Sequence, residues 1–101
     1  MTLLRAATED ELLTAATEAL TLYRWRWTHA RRSDRALTMG HPGLPDIIAV
    51  RDGRVLFCEV KSQVGRLSPD QVLWLDALKE CDVDYFLLRP DTLDTFLAVI
   101  R

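Results

Sequence analysis

The sequence predicts a single α/β domain over residues 1–101, a mixed central sheet flanked by helices in the order αβββαβα. Three observations carry that reading. Asp52-Gly53 lies between two β-rich runs, a strong short-range signal for a two-residue hairpin turn. Ser68-Pro69-Asp70-Gln71 is a helix start, with a Ser cap, Pro at the first position and Gln closing a capping box. Val83 to Arg89 is a nearly continuous apolar run, suited to a strand covered on both faces. A strand, a helix of about a dozen residues and a further strand make a right-handed crossover, which sets the last strand parallel to the second hairpin strand.

The elements follow in order. Thr8 to Tyr23 reads as the first helix, because Leu12, Ala16, Ala19 and Tyr23 recur at helical spacing and Thr8 with Glu11 makes a capping box. Glu11 thus has a structural task, whereas Glu9, at the first helical position, needs none beyond a favourable interaction with the helix dipole. Tyr23 to His29 alternates apolar and polar residues, the period of a half-buried strand, with aromatics on one face and arginines on the other. Ala30 to Pro45 is polar and basic and is punctuated by Gly40, Pro42, Gly43 and Pro45, so it reads as a loop of a length that favours a functional segment. Ile47–Arg51 and Arg54–Lys61 form the hairpin, and a short loop containing Gly65 leads to the second helix. Its buried stripe is expected to be Val72, Leu75, Leu78 and Cys81, with Trp74 on its edge. Pro90 and Asp91 end the last strand and cap a final helix carrying Leu93, Phe96, Leu97 and Ile100.

Composition bounds what such a domain does. With 101 residues, 49% hydrophobic and 28% charged, the chain is long enough for one modest core and too short for a second. It has no apolar stretch of the roughly 20 residues needed to span a bilayer, and its N-terminus has acids where a secretory signal has basic residues, so a cytoplasmic location is expected. Cys58 and Cys81 show no metal-ligand spacing and read as buried free thiols. The net charge of −2 argues against a generally basic nucleic-acid binder. Its distribution does not, since residues 1–66 hold ten Lys/Arg against eight Asp/Glu, and Arg24, Arg26, Arg31, Arg32 and Arg35 are opposed there only by Asp34.

The hairpin also gathers chemistry. A two-residue turn makes Arg51 and Arg54 the closing pair and so sets Asp46 opposite Glu59. Opposed side chains share a sheet face, and alternation adds Lys61 to it, leaving Leu56, Cys58 and Val60 on the other. Like charges in register repel unless compensated. Lys61 can offset one carboxylate, while a divalent cation can bridge both, because carboxylates with water and phosphate oxygens are how Mg²⁺ is held. Two acids and a lysine on one face therefore point to a metal-dependent phosphodiester-cleaving site. The plainer alternative is a surface ion pair of Glu59 with Lys61 while Asp46 caps a loop.

Pro45-Asp46 followed by Glu59-Val60-Lys61 in this strand order resembles the PD-(D/E)xK, or restriction endonuclease-like, nuclease superfamily. Gly43-Leu44-Pro45-Asp46, the Asp52-Gly53 turn, Gly65-Arg66-Leu67-Ser68-Pro69-Asp70-Gln71 and Trp74 together resemble its VRR-NUC branch, especially the small stand-alone phage and bacterial members. The similarity runs from Thr8-Glu9 almost to the C-terminus.

This resemblance implies roles. Asp46 and Glu59 would be ligands of Mg²⁺ or Mn²⁺, completed by the backbone carbonyl of Val60, and Lys61 would orient or activate the attacking water. Glu9 matches the acidic residue of the first helix, a further direct or water-mediated ligand. Gln71 matches a helix glutamine near the site, with its capping role an adequate explanation by itself. Leu13 departs from the pattern, standing where close relatives often have glutamine. Small stand-alone relatives resemble structure-selective endonucleases that resolve four-way (Holliday) junctions, for which a homodimer would cut two strands symmetrically.

For DNA contact the candidates are Arg31, Arg32 and Arg35 on the long loop, Arg24 and Arg26 on the strand, His29 and Arg66. Arg24 and Arg26 read equally as the solvated face of an edge strand, His29 as a partly buried strand residue, and Trp25 and Trp27 as core. The competing functions are a nicking, flap or restriction-like nuclease, and a non-catalytic DNA-binding subunit that retained the fold.

Overall fold

Helix α1 (Glu9–Leu22) starts where its capping box sets it. The Thr8 hydroxyl accepts the Glu11 N–H at 3.1 Å, and the Glu11 carboxylate accepts the Thr8 N–H at 2.9 Å. Leu12, Ala16 and Leu20, one turn apart, form its buried stripe. These details come from a computed structural model, which describes residues 7–30 and 39–101.

The helix ends in a tight turn in which Arg24 adopts φ +67° and the Trp25 N–H reaches back to the Leu20 carbonyl at 2.9 Å. That turn consumes residues that alternation assigned to a strand, so β1 spans only Arg26–His29. Tyr23 and Arg24 belong to the helix exit, and Trp25 enters the core, 4% exposed, with its indole N–H donated to the Ile100 carbonyl.

Strands β2 (Ile47–Arg51) and β3 (Arg54–Val60) form the expected hairpin. Arg51 pairs with Arg54 and Ile47 with Cys58. Asp52 at φ +49° and Gly53 at φ +81° are the two left-handed residues that a type I′ turn demands. Strand β1 lies antiparallel to β2, and β4 (Asp84–Leu88) parallel to β3, giving the order β1-β2-β3-β4. Helix α2 (Pro69–Lys79) is the crossover. A single 3₁₀ turn, Pro90–Thr92, precedes helix α3 (Leu93–Ile100), where the sequence placed Pro90 and Asp91 directly at the helix start.

The two sheet faces differ in cover. Against one, α1 and α3 close a dry core in which Ile47, Ala49, Leu56, Cys58, Val60 and Leu88 meet the α1 stripe and Leu93, Phe96 and Ile100. Phe86 packs edge-on to Phe96, their centroids 5.3 Å apart. Among the described residues, α2 is the helix on the other face. Of its expected stripe only Leu78 is buried; Val72 is 39% exposed and Cys81 lies open to solvent. Strand β4 is correspondingly half-covered, with Leu88 its one buried residue, rather than enclosed on both sides.

Arg51 and Arg54 are structural. Their guanidinium carbons lie 4.6 and 5.1 Å from the Trp25 ring centroid, and Arg51 donates to the carbonyls of Tyr23 and Ile100.

Candidate active site

The site is built where the hairpin ladder stops. Pairing ends at Ile47 and Cys58, and Asp46, one residue further, leaves the ladder. Its carboxylate takes over from the strand, Oδ2 accepting the Val60 N–H at 2.8 Å, while its carbonyl accepts the Ala30 N–H at the same distance. Asp46 is thus anchored at both its main chain and its side chain. Glu59 projects from β3 onto the thinly covered face and is 1% exposed, so it is no surface ion-pair partner. The Lys61 Nζ, itself 8% exposed, stands 3.8 Å from Glu59 Oε2.

Gln71 makes the cap that the sequence offered it and also touches Glu59. Its amide oxygen accepts the Ser68 N–H at 2.8 Å and closes the α2 capping box. The amide nitrogen must then point away from that bond, and it donates to Glu59 Oε2 at 3.0 Å. A helix cap and a site carboxylate are therefore oriented by one side chain.

A second group lines a cavity of about 220 Å³ at the same sheet end: Glu9, Asp10, Leu13, His29, Asp46 and Val60. The fold brings Glu9 to Asp46 and Val60 from across the chain, and His29 joins them because it pairs with Ile47 at the end of β1. Leu13 makes one wall of this cavity apolar.

The basic candidates fare differently. Arg24 and Arg26 are exposed at the far end of β1, Arg26 paired with Val50, and three residues from His29 is about 10 Å of strand. Arg66 is exposed on the loop between Lys61 and α2. Arg31, Arg32 and Arg35 lie outside the described residues.

Three residues to which the sequence assigns no site role position or border the site. Gly43, at φ +101°, lies against the α2 N-terminus so closely that a Cβ would sit 2.6 Å from the Asp70 carbonyl carbon, which ties the chain before Asp46 to the turn bearing Gln71. Arg89 donates to the carbonyls of Ser62 and Gly65, both at 2.7 Å, and braces the loop after Lys61. Tyr85 pairs with Phe57 and so shares the Glu59 face. Burial first, and then the negative charge of Glu59, pushes its hydroxyl up. Burial, with Asp46 and Glu59 adding their charge, likewise pushes the Cys58 thiol up and keeps it protonated. Only Gly43 carried a signal, as the first residue of the Gly-Leu-Pro-Asp run.

Two carboxylates and a peptide carbonyl are all hard oxygen donors, the set that suits Mg²⁺ or Mn²⁺. Among the described residues no group of three or more His, Cys, Asp or Glu side chains is placed to hold a metal ion.

Comparison with known families matches residues 9–91 to the VRR-NUC domain. The chain belongs to the VRR-NUC family. This is a restriction endonuclease-like nuclease family, so a nuclease acting on DNA is the coarse function it carries. A solved structure described as a VRR_NUC domain protein superposes with a TM-score of 0.65 at 20% identity, covering 93% of this chain and 85% of that one. At that identity the likeness concerns the fold, and it agrees with the four-stranded mixed sheet and flanking helices of this VRR-NUC chain. No curated protein sequence matches significantly. Among the described residues no helix is long and apolar enough to cross a membrane.

Proposed function

We propose that this VRR-NUC chain is a divalent-metal-dependent DNA endonuclease acting on branched DNA, with Asp46, Glu59 and Lys61 at its centre. The observation that carries the reading is the convergence at one sheet end of two carboxylates with different anchors, Asp46 on the Val60 N–H and Glu59 on Gln71 and Lys61. Burying Glu59 beside a lysine is weak evidence for stability, because desolvating two charges offsets most of their attraction. A cleavage site explains why the fold carries that burden.

In this reading Asp46, Glu59 and the Val60 carbonyl would hold Mg²⁺ or Mn²⁺, with Glu9 as a further direct or water-mediated ligand. An ion held there would supply a more acidic water and offset charge at the scissile phosphate. Gln71 fixes the Glu59 carboxylate, and the Val60 N–H fixes that of Asp46, so both are oriented before substrate arrives. The Lys61 ammonium donates to the attacking water or to a phosphate oxygen as negative charge builds. Arg31, Arg32, Arg35 and Arg66 supply phosphate contacts, with Arg24 and Arg26 as a more distant pair and His29 at the cavity edge. A homodimer would present two such sites to the two strands of a junction.

The test is cleavage of four-way junction, flap and linear duplex DNA with Mg²⁺ or with EDTA. Wild-type protein cuts the junction fastest and only with the metal. Asp46→Ala and Lys61→Ala lose about a thousandfold in rate or more while binding DNA unchanged, since phosphate contacts supply the affinity. An Asp46→Ala protein that cuts at the wild-type rate overturns the assignment, and equal rates on all three substrates overturn the branched-DNA preference.

A further inference from the structure

A second cavity, of about 300 Å³, opens beside the site and is lined by His41, Pro42, Asp70, Leu73, Trp74 and Ala77. Its walls are the two segments that carry site residues: the 41–42 stretch runs through Gly43 to Asp46, and Asp70 and Trp74 flank Gln71 on α2. Gly43 presses these walls together, and the Trp74 indole N–H donates across them to the His41 carbonyl at 3.2 Å. That bond fixes the indole plane in a wall that is otherwise half open, with Leu73 67% exposed.

The lining chooses its occupant. Among these described residues none is Lys or Arg, and Asp70 is an acid, so a phosphate is repelled. An indole, a proline ring, an imidazole and aliphatic carbons offer stacking surfaces to a flat, neutral aromatic group, while Asp70 can accept a hydrogen bond from its edge. The polymer that reaches the neighbouring carboxylates is DNA, and its neutral aromatic groups are its bases.

We infer that this cavity takes one unpaired nucleobase of the substrate, stacked against Trp74, next to the strand being cut. The inference rests on Asp46 and Glu59 being the cleavage site. In an intact duplex every base is stacked and paired and pays to leave, whereas a branch point or flap supplies an unpaired base at little cost. The pocket thereby converts a local shape of DNA into affinity beside the scissile phosphate.

The probe is oligodeoxythymidylate carrying 5-iododeoxyuridine, used single-stranded and annealed to oligodeoxyadenylate, with the protein in EDTA. Long-wave irradiation followed by peptide mapping should join the single strand to Trp74, and the duplex about tenfold less. Trp74→Leu should weaken single-strand binding roughly 5- to 100-fold and leave duplex binding within about twofold. Trp74→Phe also lacks the indole N–H but keeps a ring, so it should bind like wild type and separate stacking from fold.

Crosslinks only elsewhere, equal crosslinking of duplex, or unchanged single-strand affinity in Trp74→Leu would each overturn the pocket. So would a Trp74→Leu change in oligomeric state, which would mean that a second copy of the chain covers this face. The crosslink is read in EDTA and cleavage separately with Mg²⁺, so cleavage without the crosslink sinks the pocket alone, and the crosslink without cleavage sinks the nuclease reading.

Discussion

The two faces of the sheet are built to different standards. On one, α1 and α3 bury Leu12, Leu20, Leu56, Phe96 and Ile100 almost completely. On the other, α2 contributes a single buried residue, Leu78, and the charged Glu59 and Lys61 are enclosed there instead. With the proposed site on the second face, the difference separates where a small domain keeps its stability from where it would keep its chemistry. An apolar face packed by two helices gains free energy with each side chain buried, whereas the other face holds polar groups that an apolar core would not accept.

If the division holds, substitutions on the two faces should separate stability from cleavage. The largest stability loss is expected from Phe96→Ala, which empties a fully buried site and costs about 3 to 5 kcal/mol, a large share of a small domain's total. Denaturant unfolding reads that loss, while the cleavage rate per folded molecule stays near wild type. Gln71→Ala should show the opposite balance. Without the amide that orients Glu59, cleavage should fall about 10- to 100-fold, while loss of half a capping box costs only about 1 kcal/mol. Gln71→Ala unfolding as readily as Phe96→Ala, with activity intact, would break the comparison. Leu22→Ser, at an exposed position at the end of α1, belongs to neither face and should move stability by no more than about 0.5 kcal/mol and cleavage not at all.

How much of this was legible in the sequence depended on range. Both capping boxes, Thr8 with Glu11 and Ser68 with Gln71, were readable because partners three residues apart need only local geometry. The Asp52-Gly53 turn was equally local and set the β2–β3 register, while alternation along the chain put Glu59 and Lys61 on one face. Asp46 came only part of the way: register put it opposite Glu59, but whether the ladder continues or yields to a carboxylate on the Val60 N–H is decided by the chain on its other side. Helix α2 shows the limit of periodicity. Val72, Leu75, Leu78 and Cys81 recur at the spacing of a buried stripe, yet periodicity cannot tell how much sheet the stripe will find. Tyr23 to His29 alternated like a strand, but Arg24 turned left-handed to seat Trp25 among residues from the far end of the chain.

That seating bears on how long the fold lasts. The Ile100 carbonyl, at a helix end where it has no partner within its own helix, accepts the Trp25 indole N–H at 2.8 Å and the Arg51 guanidinium at 2.9 Å. These bonds span 75 and 49 residues, so the loops they close are among the largest this chain can form. Contacts of that range are entropically costly to form and come after the local hairpin and helices. Interactions made after the rate-limiting step scarcely hasten folding, but they must break before the chain can open. If the clasp at Ile100 forms that late, Trp25→Phe, which removes one of its bonds, should speed unfolding more than it slows folding.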